Sequence, residues 1–462
     1  MSRAVCWFRR DLRYDDHVAF CEALENNDEV YTVFVFDKNI LSKIDDISDQ
    51  RVSFIWESLA DLMMKFEKNH HHLEILIGDP IEEIPRFIEK IKASKLYFNR
   101  DYEPYAKKRD EKVEAILLKK KIDVFHYKDV VLFESNEVLN GSNELYKVFT
   151  PYKNRWLQKK ADLFPQIPFF KCRLKNLAKN RSITEQGQNQ IFEQLGFLYK
   201  KPIFPGGRAN ALKRLKFCHE TDLLRNYHER RDDFSLKGTS QLSAYLRHGN
   251  ISIREAFNVS FQQKNKGYEV FVSELIWREF YQAILDFYPH LEESAFLEKY
   301  DKLVWPGSED LFHLWCKGQT GVPVVDAAMR CLNETGLMPN RLRMITASYL
   351  VKILLVDWRL GMNYFAKHLF DFDLAANLGG WQWCASVGVD SVPYFRIFNP
   401  YLQSEKFDKK GEFIRRFCPE LKNLSIKEIH RPEKYLTLST YPPPAVSYEK
   451  QRQRCLELYK SV

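Results

Sequence analysis

The first third of the chain alternates short runs rich in β-branched and aromatic residues with longer stretches of helical spacing. In the longer stretches, such as residues 51–68 and 81–92, apolar residues recur three and four positions apart. Strands that alternate with helices predict a parallel, Rossmann-like sheet covered by helices. The predicted strands are 4–8, 30–36, 73–77, 95–99 and 123–127.

The composition changes twice beyond this region. Residues 131–206 are punctuated by Pro and Gly and predict a long connection with a few short helices. From Gly207 onward, apolar residues recur at helical steps and strand signals are weak. The sequence therefore predicts an α/β domain over 1–130, a connection over 131–206 and a large all-α domain over 207–462.

Bulk composition narrows the class of protein only modestly. Lys and Arg number 70 against 62 Asp and Glu, and the net charge of +8 permits nucleic-acid binding without demanding it. The nine cysteines are scattered without a C-x-x-C pair, so we expect reduced thiols, no metal site and a cytoplasmic protein. No signal-peptide core is present, and Lys352 and Asp357 interrupt the longest apolar stretch, so we expect no membrane span.

Two segments of the helical half combine groups that suit a ligand. At residues 238–243, small hydroxyl residues precede a helical run, as at a helix N-terminus, where free backbone N–H groups attract phosphate. Taken alone, that segment is better explained as a plain helix cap. Glu274, Trp277 and Arg278 share one helix face, where they either line a cleft or form a salt-bridged surface stripe.

A basic segment and an acidic segment follow along the chain. Arg341 and Arg343 lie two positions apart and face different directions, so one can reach phosphate while the other pairs internally. Asp371 and Asp373 are the carboxylates that such a pair would use. An arginine–aspartate pair here can either position a ligand or be a purely structural ion pair. Taken alone, the segment favours the structural ion pair.

Aromatic residues beside glycines give the least ordinary pattern. Trp381 and Trp383 directly follow a Gly–Gly pair within 371–386, and such glycines let a bulky group approach the backbone closely. This favours a flat ligand over core packing alone. Arg396 and Lys406 lie near further aromatics and are weak candidates for phosphate contacts.

Read together, these segments resemble the photolyase/cryptochrome family. The likeness covers nearly the whole chain in order, and it is greatest to bacterial members that split cyclobutane pyrimidine dimers. The matching segments are WFRRDLR at 7–13, YKVFTPY at 146–152, GTSQLS at 238–243, ELIWREFY at 274–281, VVDAAM at 324–329, NRLRM at 340–344, DFDLAANLGGWQWCAS at 371–386, YFRIFNP at 394–400 and EKFD at 405–408.

The resemblance implies that the helical domain holds FAD in a folded shape. Asn377 would lie near the reactive ring nitrogen, where a neutral amide can hydrogen-bond either protonation state of the flavin. A second, antenna chromophore in the α/β domain is possible, but its identity is open. Tyr105 and Ala106 stand where folate-binding members carry Asn and Glu, which puts folate in doubt. The implied FAD contacts are Tyr227, Thr239, Ser240, Gln241, Leu242, Ser243, Phe271, Arg278, Arg343, Asp371, Phe372, Asp373 and Asn377.

The same resemblance implies an activity and a substrate. Reduced FAD would absorb light and pass one electron to a flipped-out dimer, and Glu274 would stabilise the charge that develops there. Members that act on (6-4) lesions carry His at the positions of Asn340 and Met344, so we expect cyclobutane dimers here. An electron relay to FAD would run through Trp381, Trp358 and Trp305. The implied DNA contacts are Arg231, Glu274, Trp277, Arg278, Asn340, Arg341, Met344, Trp383 and Arg396.

Two alternatives accompany this expectation. The first is a cryptochrome, a flavin photoreceptor without repair activity. Cryptochromes often add a long C-terminal extension, and this chain stops at Val462, so we expect repair. The second, a light-independent nucleotide-binding α/β protein, leaves the helical half unexplained. Leu337 and Phe271 stand where close relatives often have Trp. We expect a monomer whose partner is dimer-containing DNA, with no membrane association.

Overall fold

The computed structural model describes residues 2–68, 70–163, 168–178, 187–234, 238–261, 263–434 and 441–462. The chain divides into two compact units that interleave along the sequence. Unit 1 comprises Met1–Leu145, Lys153–Asp222 and Gln241–Phe287, and unit 2 comprises Tyr146–Tyr152, Leu223–Ser240 and Tyr288–Val462. The domain boundaries inferred from sequence, at 130 and 206, stay a prediction.

Unit 1 contains a five-stranded parallel sheet in the order β3-β2-β1-β4-β5. The strands are β1 (Arg3–Phe8), β2 (Glu29–Asp37), β3 (Leu73–Gly78), β4 (Lys95–Asn99) and β5 (Asp123–Tyr127). All five predicted strands are present, with bounds that differ from the predicted ones by at most one residue at either end. The chain order reverses on either side of β1, so the carboxyl ends of β1 and β4 border the crevice where doubly wound folds bind ligands.

Helices cover both faces of this sheet and make up most of unit 2. In the first half of the described chain they are α1 (Val18–Glu25), α2 (Lys38–Leu41), α3 (Gln50–Glu67), α4 (Pro80–Ile91), α5 (Pro104–Lys119), α6 (Phe149–Leu163), α7 (Gln188–Leu195), α8 (Arg208–Glu220), α9 (Tyr227–Arg230), α10 (Ser243–Arg247), α11 (Ile253–Phe261) and α12 (Lys266–Phe287). In the second half they are α13 (Glu309–Lys317), α14 (Pro323–Thr335), α15 (Asn340–Lys352), α16 (Trp358–His368), α17 (Leu374–Ala385), α18 (Pro400–Phe407), α19 (Glu412–Phe417) and α20 (Tyr448–Lys460). Short 3-10 helices occur at Leu174–Asn176, Pro289–Glu292, Glu298–Lys302, Pro419–Leu421 and Pro432–Lys434.

Two hydrophobic clusters hold the sheet between its helices. On one face, Phe8 and Phe34 pack with the buried side chains of α1 and α3, such as Phe20 and Phe66. On the other face, strand residues such as Trp7 pack with the apolar sides of α4 and α5. Because β1 to β4 are mostly buried on both faces, they read as nearly continuous apolar runs, whereas the edge strand β5 is partly exposed.

The expectation that all nine cysteines are reduced is wrong for two of them. Cys21 on α1 and Cys172 in the connection form a disulfide across a sequence separation of 151 residues. The remaining seven are free and buried. The pairing has no sequence signature, because the two residues meet only once α1 and the 168–178 segment pack on the same sheet face.

Unit 2 is built around helices α14 to α17. Helix α15 packs against α14, α16 and α17, and α16 packs against α17. Nearly all of α15 from Ile345 onward is buried, including the side chain of Lys352. No helix in the described part of the chain combines the length and the hydrophobicity needed to cross a membrane.

Candidate functional site

An arginine–carboxylate pair joins the start of α15 to the segment before α17. The Arg343 guanidinium donates from Nη2 to both carboxylate oxygens of Asp371, at 2.9 and 3.0 Å, and from Nε to the Met338 carbonyl oxygen at 2.8 Å. The Asp371 side chain is only 9% exposed, whereas that of Arg343 is 30% exposed. The sequence left open which arginine pairs internally. The structure pairs both arginines, Arg343 with Asp371 and Arg341 with Asp232, and the Arg343 guanidinium stays partly accessible.

Helix α17 begins immediately after this pair and carries the candidate amide. Asp373 is its N-cap and accepts from the Ala376 backbone N–H at 3.2 Å, which satisfies one donor of the first turn. Asn377 follows one turn later, is 9% exposed and donates from Nδ2 to the Met362 carbonyl oxygen at 3.0 Å. That bond fixes the amide orientation, and Oδ1 accepts no hydrogen bond from the described residues.

The exposed end of α15 presents Asn340 and Met344, the two residues from which the sequence predicts the class of lesion. Asn340 and Met344 are one turn apart, and Asn340 Nδ2 lies 3.8 Å from the Met344 sulfur. On α17, the Cys384 thiol lies 3.9 Å from the Met344 carbonyl oxygen, so the two helices meet here. Trp383 is half-buried beside Cys384. The structure thus brings three predicted substrate residues onto one pair of packed helices.

The three tryptophans of the predicted relay differ in burial. Trp381 and Trp358 are 2% and 1% exposed, and Trp305 is half-buried. No ring contact among the described residues joins Trp381 to Trp358 or Trp358 to Trp305. The Trp381 ring instead meets Phe365 at a centroid distance of 5.0 Å and Trp315 at 6.0 Å, both edge to face. Trp305 is the most exposed of the three, and the relay through them stays a prediction.

Sequence reasoning missed the residues that surround Trp381. Trp315 is fully buried on α13 and donates its indole N–H to the Thr346 carbonyl oxygen at 3.1 Å. Phe365 and Gly361 lie one turn apart on α16 and both face the Trp381 ring. A glycine inside a helix was the available signal, since glycine is unfavourable there unless packing requires it.

Within unit 1, helix α12 carries four further candidates. Phe271 is buried, while Glu274, Trp277 and Arg278 are half-buried on one stripe. The Trp277 ring packs against Tyr281 at a centroid distance of 5.4 Å. Arg278 donates from Nη1 to the Val130 carbonyl oxygen at 2.8 Å.

A buried carboxyl that the sequence analysis did not single out fixes the rotation of α12. Glu279 accepts from the backbone N–H groups of Leu132 and Phe133, at 2.6 and 3.0 Å, and from the Trp156 indole. Burial raises the pKa of this carboxyl to about 7. Arg278 and Glu279 therefore hold the same short segment from consecutive helix positions. The sequence signal was an acid placed within the apolar stripe of α12.

The 238–243 segment precedes a helix, as predicted. Helix α10 begins at Ser243, and Leu242 occupies the N-cap position without a side-chain hydrogen bond. Gly238 lies so close to the backbone of Arg230 that an added Cβ would stand 2.4 Å from its carbonyl oxygen. The phosphate-binding role of this segment stays a prediction. Thr239, Ser240 and Gln241 are half-buried, Leu242 is buried, and Ser243 is exposed.

The remaining candidates lie in unit 2. Tyr227 is buried at the start of α9, and Arg231 ends that helix. Arg341 donates to Asp232 from Nε at 3.2 Å and from Nη2 at 2.8 Å, so its charge is partly balanced. Phe372 is half-buried between the two aspartates, and Arg396 is exposed.

The crevice at the carboxyl ends of β1 and β4 does not fit a second chromophore. Its cavity measures about 10 Å³, enough for about one water molecule. Ion pairs of its arginines with nearby carboxylates fill the space, such as Arg10 with Asp101 at 2.9 Å. Tyr105 donates to Asp37 at 2.7 Å, and Ala106 is buried, so neither offers folate a free polar group. The cavity is lined by Arg9, Arg10, Asp11, Asn99, Arg100, Asp101 and Val130.

Comparison with known proteins decides the family. Residues 4–169 match the family model described as DNA photolyase, and residues 271–461 match the FAD binding domain of DNA photolyase. A deoxyribodipyrimidine photo-lyase from Salmonella typhimurium is 38% identical over 100% of this chain and 99% of its own length. The chain belongs to the photolyase/cryptochrome family.

Solved structures of the family share the fold along the whole chain. A class III photolyase from Agrobacterium tumefaciens has a TM-score of 0.90 and 31% identity, and the match covers 100% of this chain and 98% of that one. A cryptochrome from Synechocystis sp. also has a TM-score of 0.90, with 26% identity and 99% of both chains covered. The predictions of family, fold class, enzyme class and FAD as cofactor are confirmed.

The residues of unit 2 fit a flavin. The Arg343–Asp371 pair leaves guanidinium surface accessible, and the Asn377 Oδ1 is available to accept a hydrogen bond. The buried Trp381 Nε1 has no hydrogen-bond partner among the described residues, so this indole N–H on the helix that carries Asn377 makes no competing bond there. Within the described ranges, no group of three His, Cys, Asp or Glu side chains is placed to hold a metal ion.

Proposed function

We propose that this chain repairs cyclobutane pyrimidine dimers in DNA by a light-driven, FAD-dependent electron transfer. The observation that carries the proposal is the pair Asn340 and Met344 on the exposed turn of α15. Splitting a cyclobutane dimer requires one electron to go to the substrate and return, with no net transfer of a proton. A neutral amide and a thioether suit that chemistry, whereas a lesion that needs a proton would require a titratable group there.

The protein's contribution to this reaction is positioning and electrostatics. When bound, reduced FAD supplies the light-excited electron. Arg343, held by Asp371, would supply a fixed positive charge to the bound flavin, and Asn377, held by the Met362 carbonyl, would offer it a neutral amide. The proposed FAD contacts are those that the motifs imply, namely Tyr227, Thr239, Ser240, Gln241, Leu242, Ser243, Phe271, Arg278, Arg343, Asp371, Phe372, Asp373 and Asn377.

The substrate side of the proposal uses rigid aromatic and polar groups. Trp277 in unit 1 and Trp383 in unit 2 are each half-buried, and each is a proposed base contact because an indole offers a flat face for stacking. Glu274 lies on the same stripe as Trp277 and would hydrogen-bond the dimer while it carries the extra electron. Arg231, Arg341 and Arg396 would contact phosphates, which makes binding dependent on salt.

The likeness to the Synechocystis cryptochrome favours one alternative, a flavin photoreceptor without repair. The two functions differ in a single measurable step, because both bind FAD and both respond to light. Only the repair enzyme returns dimers to monomeric pyrimidines.

The test is a repair assay on a defined oligonucleotide that contains one thymine dimer. Protein loaded with chemically reduced FAD is illuminated, and restored thymines are counted by chromatography, with a dark sample as control. We expect thymines to be restored in the illuminated sample and not in the dark sample. Trp277→Ala should lose turnover. Flavin that responds to light without any loss of dimers would favour the photoreceptor.

The proposal includes the molecular setting of the reaction. We propose that the enzyme acts as a monomer on DNA in the cytoplasm. Light scattering coupled to size-exclusion chromatography should give a mass near 54.9 kDa for the free protein. A stable dimer mass would contradict the monomer.

A further inference from the structure

Helix α16 contains a glycine where the helix itself gains nothing from one. Gly361 lies in the first turns of Trp358–His368, away from either end. Glycine in a helix interior costs about 0.5–1 kcal/mol relative to alanine. Its occurrence at this position therefore calls for a reason in packing.

The reason is the close approach of the Trp381 ring. A Cβ added at Gly361 would stand 2.1 Å from Trp381 Cη2 and 2.5 Å from Trp381 Cζ3. On another side it would stand 2.6 Å from Leu350 Cδ2. Carbon atoms in contact prefer about 3.5–4.0 Å, so any side chain here must displace the indole, the leucine or α16 itself.

Packing alone sets the orientation of this indole. The Trp381 Nε1 is buried and has no hydrogen-bond partner in the part of the chain that the structure describes, so no polar contact there holds the ring. Its fixed neighbours are the Phe365 ring at 5.0 Å and the Trp315 ring at 6.0 Å. Gly361 completes the enclosure by supplying a backbone surface without a side chain.

We propose that Gly361 is a positioning residue for the electron relay, and that it fixes the Trp381 ring in the orientation from which it donates to FAD. The proposal rests on the proposed function. The step is a one-electron transfer from Trp381 to light-excited oxidised FAD, in which no bond breaks. The electron is replaced through the relay by an external thiol reductant. Gly361 is not among the proposed flavin and substrate contacts, and it acts through Trp381.

The test is a double-mutant cycle between Gly361→Ala and Trp381→Phe. Thermal unfolding measures how the contact between residue 361 and the Trp381 ring affects stability. In a chain that retains Trp381, Gly361→Ala should lower Tm by several degrees. The smaller phenyl ring of Trp381→Phe leaves room for the new methyl group, so the same substitution should cost much less there. Gly141→Ala is the matched control, since an added Cβ meets nothing within 4 Å at that position.

The functional arm of the cycle separates positioning from general damage. Photoreduction of oxidised FAD should fall several-fold in Gly361→Ala, while repair by chemically pre-reduced Gly361→Ala enzyme should stay near that of the wild type. Equal destabilisation in both backgrounds, or unchanged photoreduction, would overturn the proposal. If Gly361→Ala alone does not fold, a folded double variant supports the proposal and an unfolded one overturns it. A wild-type protein without repair activity would refute the proposed function and leave the stability coupling intact.

Discussion

Lys352 offers the sharpest prediction about stability. Its side chain is fully buried at the end of α15, where Nζ donates to Ser386 Oγ at 2.7 Å and to the Arg396 carbonyl oxygen at 3.4 Å. No carboxylate among the described residues pairs with this ammonium group. Burial therefore lowers its pKa from the ordinary 10.5 to about 8. We predict that Lys352→Met changes the dependence of stability on pH.

The magnitude follows from linkage between protonation and folding. Below pH 8 both the folded and the unfolded chain carry the proton, and the folded state bears the full cost of burying the charge. Between pH 8 and 10.5 the unfolded chain binds more protons, so the stability of the wild type rises with pH. The pKa difference corresponds to about 3 kcal/mol, of which about 2.5 kcal/mol is recovered between pH 7 and pH 10.

The assay compares unfolding of the wild type and Lys352→Met at these two pH values. Methionine removes the buried charge but leaves Ser386 Oγ and the Arg396 carbonyl without their donor, which costs about 1–3 kcal/mol at either pH. We therefore expect the free energy of unfolding of the variant, relative to that of the wild type, to fall by about 2.5 kcal/mol between pH 7 and pH 10. Lys302→Met, at an exposed position, is the control and should show no such trend. A stability difference independent of pH would refute the reasoning.

Three further predictions concern the proposed site. Trp381→Phe should abolish photoreduction of oxidised FAD in a steady-state illumination assay and leave repair by pre-reduced enzyme nearly intact; loss of both would show that the ring is needed for folding. Asp371→Asn removes the charge that holds Arg343 and should weaken FAD retention about tenfold in equilibrium dialysis, and undiminished retention would remove this pair from the flavin site. Arg396→Ala should reduce the slope of log affinity against log salt concentration for dimer-containing DNA by about one. Arg416→Ala, at another exposed arginine, is the control and should leave the slope unchanged. Equal slopes for the two variants would remove Arg396 from the DNA contacts.

The fold was largely predictable because its signals are local. Each strand of the sheet is a short apolar run, and each covering helix has an apolar stripe with the helical period. The disulfide between Cys21 and Cys172 was not predictable on these grounds. It depends on two distant segments packing on one face, and nothing in the local sequence records that proximity.

The candidate site was predictable where residues act in pairs along one helix. Asn340 and Met344, one turn apart, lie on one exposed face as their spacing indicates. Only the structure shows that Arg343, and not Arg341, is the partner of Asp371, because the sequence does not indicate which arginine pairs with which aspartate. Both turned out to be paired, which spacing alone does not reveal.

Two kinds of residue were the hardest to identify from the sequence: one that matters because it lacks a side chain, and one that matters because it is buried. Gly361 matters through the space that it leaves for Trp381, and that space is created by a different helix. Glu279 stands in the sequence as an acid within an apolar stripe, but the tertiary structure sets its full burial and the two backbone N–H groups from which it accepts. Both depend on which neighbours the tertiary structure supplies.

The wavelength dependence of dimer repair tests the central claim most directly. The account holds that a single bound flavin absorbs the light and delivers the electron to the lesion. The rate of thymine restoration, measured at a series of wavelengths at equal photon flux, should follow the absorption spectrum of reduced FAD bound to the protein. Restoration that proceeds in the dark, or that follows no flavin band, would contradict the account.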